Sequence, residues 1–194
     1  MRAAFRLLNA LSVLMLSGAA VAAQQPGVTR KGFWGAISFG YGHSSLTASN
    51  ATFPDSTQGG SVALDLKLGG TLSPTVRLGG EVNVWVKDFN TVSGTETFSV
   101  GNVSAALYFY PAPRSGFFVK GGVGLASFQD TQGNTSSTAS GFGLLGGIGY
   151  DIRLGGKVSL TPVANFFWGH DGDLSPLTGI QHKIFDVGLG VQYN

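Results

Sequence analysis

Period-two alternation of apolar with small or polar residues runs through most of this chain and constrains its fold more than any other feature. From Val62 to Leu68, Val62, Leu64, Leu66 and Leu68 share one parity, while Ala63, Asp65 and Lys67 share the other. Successive strand side chains point to opposite faces, so such a run predicts a strand with two unlike faces. After Leu72-Ser73-Pro74-Thr75 the pattern resumes, with Val76, Leu78, Val82, Val84 and Val86 opposite Arg77, Gly79, Glu81, Asn83 and Trp85. Two runs across a tight turn read as a hairpin. Further runs lie at Phe33–Tyr41, Val103–Phe109, Phe117–Leu125, Phe142–Ile152, Val158–Trp168 and Phe185–Tyr193, making eight strands. Residues 45–60, 88–95, 129–139 and 169–179 are rich in Ser, Thr, Asn, Asp and Gly and read as long connections, whereas those around 73, 112 and 155 are short. This order of long and short connections predicts an up-and-down meander. Phe98 and Val100 are out of phase with Val103 onward, and Pro162 interrupts the seventh run, so a bulge is expected near each.

Residues 1–23 are read separately from residues 24–194, which form the expected barrel domain. Arg2 and Arg6 precede the Leu-rich stretch Leu7–Leu16, and Ala20-Val21-Ala22-Ala23 offers small residues for cleavage, the pattern of a secretory signal peptide. Arg2 and Arg6 account for two of twelve Lys+Arg; the ten that remain balance ten Asp+Glu, which removes the compositional case for a nucleic-acid partner. Charged residues make up only 11% of the chain, against roughly 25% in an ordinary soluble domain. Cys is absent, which excludes a disulfide framework and thiolate metal ligation.

No later segment reaches the ~18 consecutive apolar residues of a spanning helix, so a membrane form must be built from strands. The alternative is a soluble barrel of lipocalin type with its apolar face inward. The second face decides between them. It carries Gly69, Gly79, Gly122, Gly124, Gly147, Gly149, Gly188 and Gly190 with a few charges, a poor water-facing surface but a sensible filling for a narrow barrel. Turning that face to lipid would place Lys67 and Lys120 near mid-membrane at about 2–4 kcal/mol each. The expected fold is therefore all-β, an eight-stranded antiparallel up-and-down transmembrane β-barrel with its apolar face outward. Enclosed charges must pair to offset desolvation. Asp65, Lys67, Arg77, Glu81, Lys120, Asp151, Arg153 and Asp186 form the expected interior ionic network, with Lys67, Glu81, Lys120 and Asp186 in one layer and Asp65, Asn83, Asn102 and Asn165 just above it. Such a network plugs the barrel, the alternative being a gated ion path. Aromatic residues fall into two groups, Phe33, Trp34, Phe109, Tyr110, Phe117 and Tyr193 at one end and Tyr41, Phe128, Phe142, Phe166 and Trp168 at the other, as in interfacial girdles.

With its leader, eight alternating runs, loop order and final Asp186-Val187-Gly188-Leu189-Gly190-Val191-Gln192-Tyr193-Asn194, the chain resembles the eight-stranded outer-membrane β-barrel family that includes the OmpA transmembrane domain, OmpX and the opacity-type surface proteins. The last strand is similar to the family's assembly signal, although its aromatic Tyr193 is penultimate. The resemblance implies the outer membrane of a diderm bacterium, termini in the periplasm and long loops outside. Implied partners are outer-membrane lipid and lipopolysaccharide, the assembly machinery and an extracellular ligand at the loops, with the chain acting as a monomer. Cell-wall tethering is not expected.

Motifs that carry chemistry are sparse, and no catalytic residue, cofactor or metal is assigned. His43, His170 and His182 all fall near the outer mouth beside Asp171 and Asp173, a candidate metal or pH-sensitive cluster. His43-Ser44-Ser45 offers a His/Ser pair for acyl transfer without a carboxylate to orient it. Asp171-Gly172-Asp173 begins like a calcium loop, but position twelve is His182 rather than Glu. Gly121-Gly122-Val123-Gly124 has no following helix and is not a phosphate-binding turn. The leading expectation is a non-enzymatic barrel presenting loops for adhesion or partner binding, with residues 45–60 the longest such surface. A lipid-modifying hydrolase and the soluble ligand-binding barrel are the alternatives.

Overall fold

The computed structural model describes residues 30–53, 57–91, 94–133 and 135–194; the expected leader at 1–23 lies outside them. Nine strand segments follow one another: β1 (Phe33–Thr47), β2 (Gly59–Ser73), β3 (Val76–Thr91), β4 (Gly94–Phe109), β5 (Phe117–Gln132), β6 (Thr135–Tyr150), β7 (Ile152–Gly155), β8 (Val158–Leu174) and β9 (Leu177–Tyr193). Segments β6 and β7 are one barrel strand interrupted at Asp151, so the nine segments make eight staves. Every neighbour pairs antiparallel with the next in sequence. The ring closes where β1 pairs with β9, from Gly35↔Tyr193 to Thr47↔Gln181.

Alternation sets the two faces as the sequence predicts. Leu66, Leu68, Phe39, Val103, Leu125, Phe185 and Leu189 are exposed on the outer wall, whereas Asp65, Lys67, Glu81, Asn83 and Lys120 are buried inside. A continuous apolar outer wall around a polar interior is the inverse of a soluble ligand-binding barrel and identifies a transmembrane one. Glycine narrows the interior where strands meet. A Cβ on Gly69 would sit 2.7 Å from Gly79 Cα, and one on Gly79 would sit 3.0 Å from the Trp34 ring, so the bare backbone of this cross-strand pair makes room for the indole.

Both expected bulges are absent where they were placed. The register of β4 is continuous with β3 from Thr91↔Gly94 to Val76↔Phe109, and with β5 from Glu96↔Gln132 to Phe109↔Val119. Phe98 and Val100 instead face inward, at 6% and 1% exposure. The apolar parity flips because the strand leaves lipid and enters water, where apolar groups belong inside. Pro162 keeps its register with Leu189 on β9, and the irregularity is transferred to the facing stave, which breaks between β6 and β7. A residue without an N–H cannot complete a ladder on both sides. Register shifts occur elsewhere, at Thr71/Ser73, Arg153/Gly155 and His170–Leu174.

The connections also differ from expectation. Most of 88–95, 129–139 and 169–179 is strand, since β3 and β4 pair up to Thr91↔Gly94 and β5 and β6 up to Gln132↔Thr135. Their Ser- and Thr-rich composition reflects hairpins standing in water rather than irregular loops. Conversely the link around 112 is one of the longer ones, running from Tyr110 to Gly116 between β4 and β5.

Candidate functional site

The barrel interior is filled in layers, beginning at the short-turn end. Arg77 on β3 lies 3.9 Å from the Asp151 carboxylate and donates to Tyr110 Oη at 3.2 Å. Asp151, placed inward by the break between β6 and β7, also accepts from Tyr110 (3.0 Å), Thr161 (3.0 Å) and Gln192 (3.1 Å). Arg77 further donates to Asn194. Arg30 closes this end: its guanidinium lies 3.5 Å over the Tyr110 ring and donates to the carbonyls of Pro113 and Ser115. Burial lowers the Arg30 pKa from its ordinary value, with Tyr110 and Asp151 opposing that shift.

A second layer centres on Glu81. Its carboxylate accepts from Lys120, which reaches across from β5, from Asn83 at 2.8 Å and from Tyr108 at 2.5 Å, with Lys67 at 3.9 Å. Lys67 pairs more closely with Asp65 at 3.4 Å and donates to Ser38. Asn165 bridges Asp65 and Asp186, donating to each at 3.0 Å. Charge-assisted bonds of this kind offset desolvation only when most lone pairs and protons are used.

Above it the interior turns apolar. Trp85, Phe98, Val100, Phe128, Ile180 and Ile184 are buried there. Phe53, from the connection between β1 and β2, drops into the mouth and meets Phe98 and Phe128 edge-on at centroid distances of 6.2 and 5.9 Å. Gln58 fixes that connection, accepting from Leu46 N–H at 2.8 Å and donating to Phe53 O at 3.0 Å. Asn50 and Ser49 tie it to the β8–β9 hairpin through Pro176 and Thr178. Among its described residues, this connection lowers Phe53 into the mouth as a cap while 49–52 stay exposed.

The structure brings together seven of the eight residues assigned to the ionic network, in two groups: Arg77 with Asp151, and Asp65, Lys67, Glu81 and Lys120 with Asp186 joined through Asn165. Arg153 stands apart, because β7 carries it to the turn, where it donates to Gly156 O. Sequence reasoning missed Tyr108, which is inward by its even parity on β4, and Arg30, which lies outside any strand. Trp34, Tyr110 and Phe128, assigned to the girdles, are buried inside, whereas Phe33, Tyr41, Phe142, Phe166 and Tyr193 face outward.

The histidines do not form a cluster. His43 and His170 point outward, while His182 is wholly buried, with Nδ1 2.8 Å from Asp171 Oδ2. Among the described residues no group of three or more His, Cys, Asp or Glu is placed to hold a metal. Asp173 accepts from Gly179 N–H at 2.7 Å, so the calcium-like run is spent on local contacts. Adjacent strand residues point to opposite faces, so His43 and Ser44 cannot act as a pair. Ser44, His182 and Asp171 do share the interior of β1, β9 and β8, but all are at most 1% exposed, packed level with or below the buried Leu46 and Ile180.

The fold is shared with solved membrane barrels. Ail, the attachment invasion locus protein of Yersinia pestis, solved with the heparin analogue sucrose octasulfate, is 13% identical, with 84% of this chain and 99% of that chain covered at a TM-score of 0.54. Neisserial surface protein A is 13% identical, covering 86% of this chain and 99% of that one at 0.56. No curated protein sequence matches the chain. The sequence profile of the autotransporter beta-domain matches residues 33–171, from the first residue of β1 into β8, and the chain belongs to the autotransporter beta-domain family.

Proposed function

We propose that this protein is a non-enzymatic outer-membrane barrel, exported on a cleaved leader at 1–23, whose role is carried by the wall it raises above the membrane. One observation carries the reading: the staves outrun the bilayer. A spanning strand needs about 9–11 residues, whereas β4, β5 and β6 have 16 each. Pairing of β2 with β3 ends at Val62↔Val86, and that of β6 with β8 at Phe142↔His170, while β3 to β6 remain paired to their tips. A four-stranded sheet therefore stands clear, with Thr135–Thr138 exposed along one edge. An unpaired edge of hydroxyl residues suits recognition of an extended polypeptide of an external partner. The Glu81 layer and the Phe53 cap support a plugged interior that conducts no ions. The attachment and surface roles in the names of Ail and Neisserial surface protein A support the same reading by analogy of fold. Outer-membrane lipid, lipopolysaccharide and the assembly machinery are the remaining proposed partners, and the barrel acts as a monomer.

Because the chain has no native Cys, a Ser137→Cys variant tests the exposed sheet directly. A membrane-impermeant maleimide is expected to label it on intact cells, in a band that runs faster before boiling in SDS. Labelling only after lysis, or recovery in the soluble periplasm without a mobility shift, overturns the proposal.

A further inference from the structure

Among the described residues Lys183 is the only Lys or Arg on the outward face of a strand. It lies ten residues up β9 from Tyr193, the last strand residue. Ten residues at ~3.3 Å, tilted ~45°, rise roughly 23 Å, the height of the apolar band of such barrels. The change of apolar parity marks the same level. On β9 the outward Phe185 gives way to the inward Ile184 and Ile180, and on β1 the outward Tyr41 gives way to the inward Leu46.

The neighbours of Lys183 are set by register. Trp168 on β8 and Ser45 on β1 sit directly opposite it. His43 is one outward row below, paired with Phe185, and His170 one row above, paired with Gln181. An ammonium and a hydroxyl therefore lie side by side, each able to donate a hydrogen bond, with an indole beside them at the water boundary and the two imidazoles apart on either flank, His43 leaning towards Gly59 of β2. Among the described residues, β2 to β6 carry no outward-facing Lys or Arg. The cationic site is thus confined to β8, β9 and β1.

The geometry points to Lys183, with Ser45 and beside Trp168, as a docking site for the phosphate headgroup of a membrane lipid whose acyl chains lie along Phe185, Phe166 and Tyr41. This inference rests on the membrane reading and deepens it by naming the lipid chemistry. The cations of the opposite end, Lys31, Arg114 and Lys157, sit a membrane thickness away.

Trp168 reports on the site alone, because Trp34 and Trp85 are each 1% exposed inside the barrel. The full chain is reconstituted into phosphatidylcholine vesicles containing equal small fractions of either brominated phosphatidic acid or brominated phosphatidylcholine, and Trp quenching is measured. Preferential binding of the phosphomonoester is expected to give about fivefold stronger relative quenching, the factor for one lysine near an anionic headgroup. Lys183→Gln is expected to bring the ratio to one while keeping the fast unboiled gel band, and Trp168→Phe to abolish the excess. Equal quenching of the wild-type protein by both lipids, or an excess that persists in Lys183→Gln, overturns the site. Absence of quenching by either lipid overturns the membrane reading beneath it.

Discussion

Replacing Glu81 by Gln tests whether the interior charges hold the barrel together as a unit. Glutamine keeps the shape and the acceptor for Asn83 but removes the charge facing Lys120, whose only ion-pair partner among the described residues is Glu81. Lys120 is then a buried, uncompensated ammonium, and breaking a buried pair in this way costs about 3–5 kcal/mol. Lys67 loses less, since Asp65 remains at 3.4 Å. Lys120→Met leaves Glu81 with Asn83, Tyr108 and Lys67, so its cost is the smaller one of a lost charged hydrogen bond, about 2–3 kcal/mol. The double variant strands neither charge and is expected to cost only about 1–2 kcal/mol, because removing a buried pair together is close to neutral. The two substitutions should therefore couple by about 3 kcal/mol or more. Urea unfolding in lipid vesicles, followed by Trp fluorescence and loss of the fast-migrating gel band, measures all three. Additivity within about 0.5 kcal/mol, the behaviour of independent sites, refutes the reasoning.

Three further predictions concern the outer half. Phe53→Ala removes the ring packed against Phe98 and Phe128 and is expected to cost about 3 kcal/mol and to raise protease cleavage next to position 53; planar-bilayer recordings should still show no stable conductance, because the Glu81 layer lies below. Val123→Arg, outward within the apolar band, is expected to cost about 2–4 kcal/mol, while Gln129→Arg, on the same face of β5 above it, stays within about 0.5 kcal/mol in the same urea assay. At the water-exposed end of β4, burial and then Asp130 raise the Glu96 pKa from its ordinary value. A raised carboxyl stabilises the folded hairpin most below the ordinary Glu range, and that contribution is lost as pH rises through the raised value; NMR titration of Asp130→Asn should show the Glu96 midpoint falling.

Parity carried much of the fold and part of the site. Asp65, Lys67, Glu81 and Lys120 could be placed inside because each occupies the polar parity of a clear run, and pairing followed from the need to offset buried charge. What parity could not give was height. Which interior charges meet across the barrel depends on its shear: Arg77, four residues from Glu81 on β3, lies nearer the short turns and meets Asp151 of the β6–β7 break. Contacts that depend on backbone irregularity were hidden too. Asp151 reaches Arg77 because β6 and β7 break opposite Pro162, and Arg30 reaches Tyr110 from outside the strands. The inward fold of Phe53 had no signal, since a single aromatic in a polar connection has no period to read.

The phase change in β4 is the most informative of these departures. Within the band, Val103, Ala105, Leu107 and Phe109 face lipid, and beyond it Phe98 and Val100 face the interior, with no residue inserted between. The same switch occurs on β3 between Val86 and Phe89, on β5 between Leu125 and Phe128, and on β6 between Phe142 and Ala139. A bulge would have changed the register on both sides of β4, and neither side changes. The common cause is the solvent: lipid draws apolar residues to the outer wall, and water drives them into the core. One stave thus obeys both rules in turn, and the residue at which its apolar parity flips marks the membrane surface. That mark explains why the cap is aromatic, since the part of the barrel standing in water needs a core of its own. It also explains why Lys183 and Trp168 lie where they do, at the level where neither rule prevails.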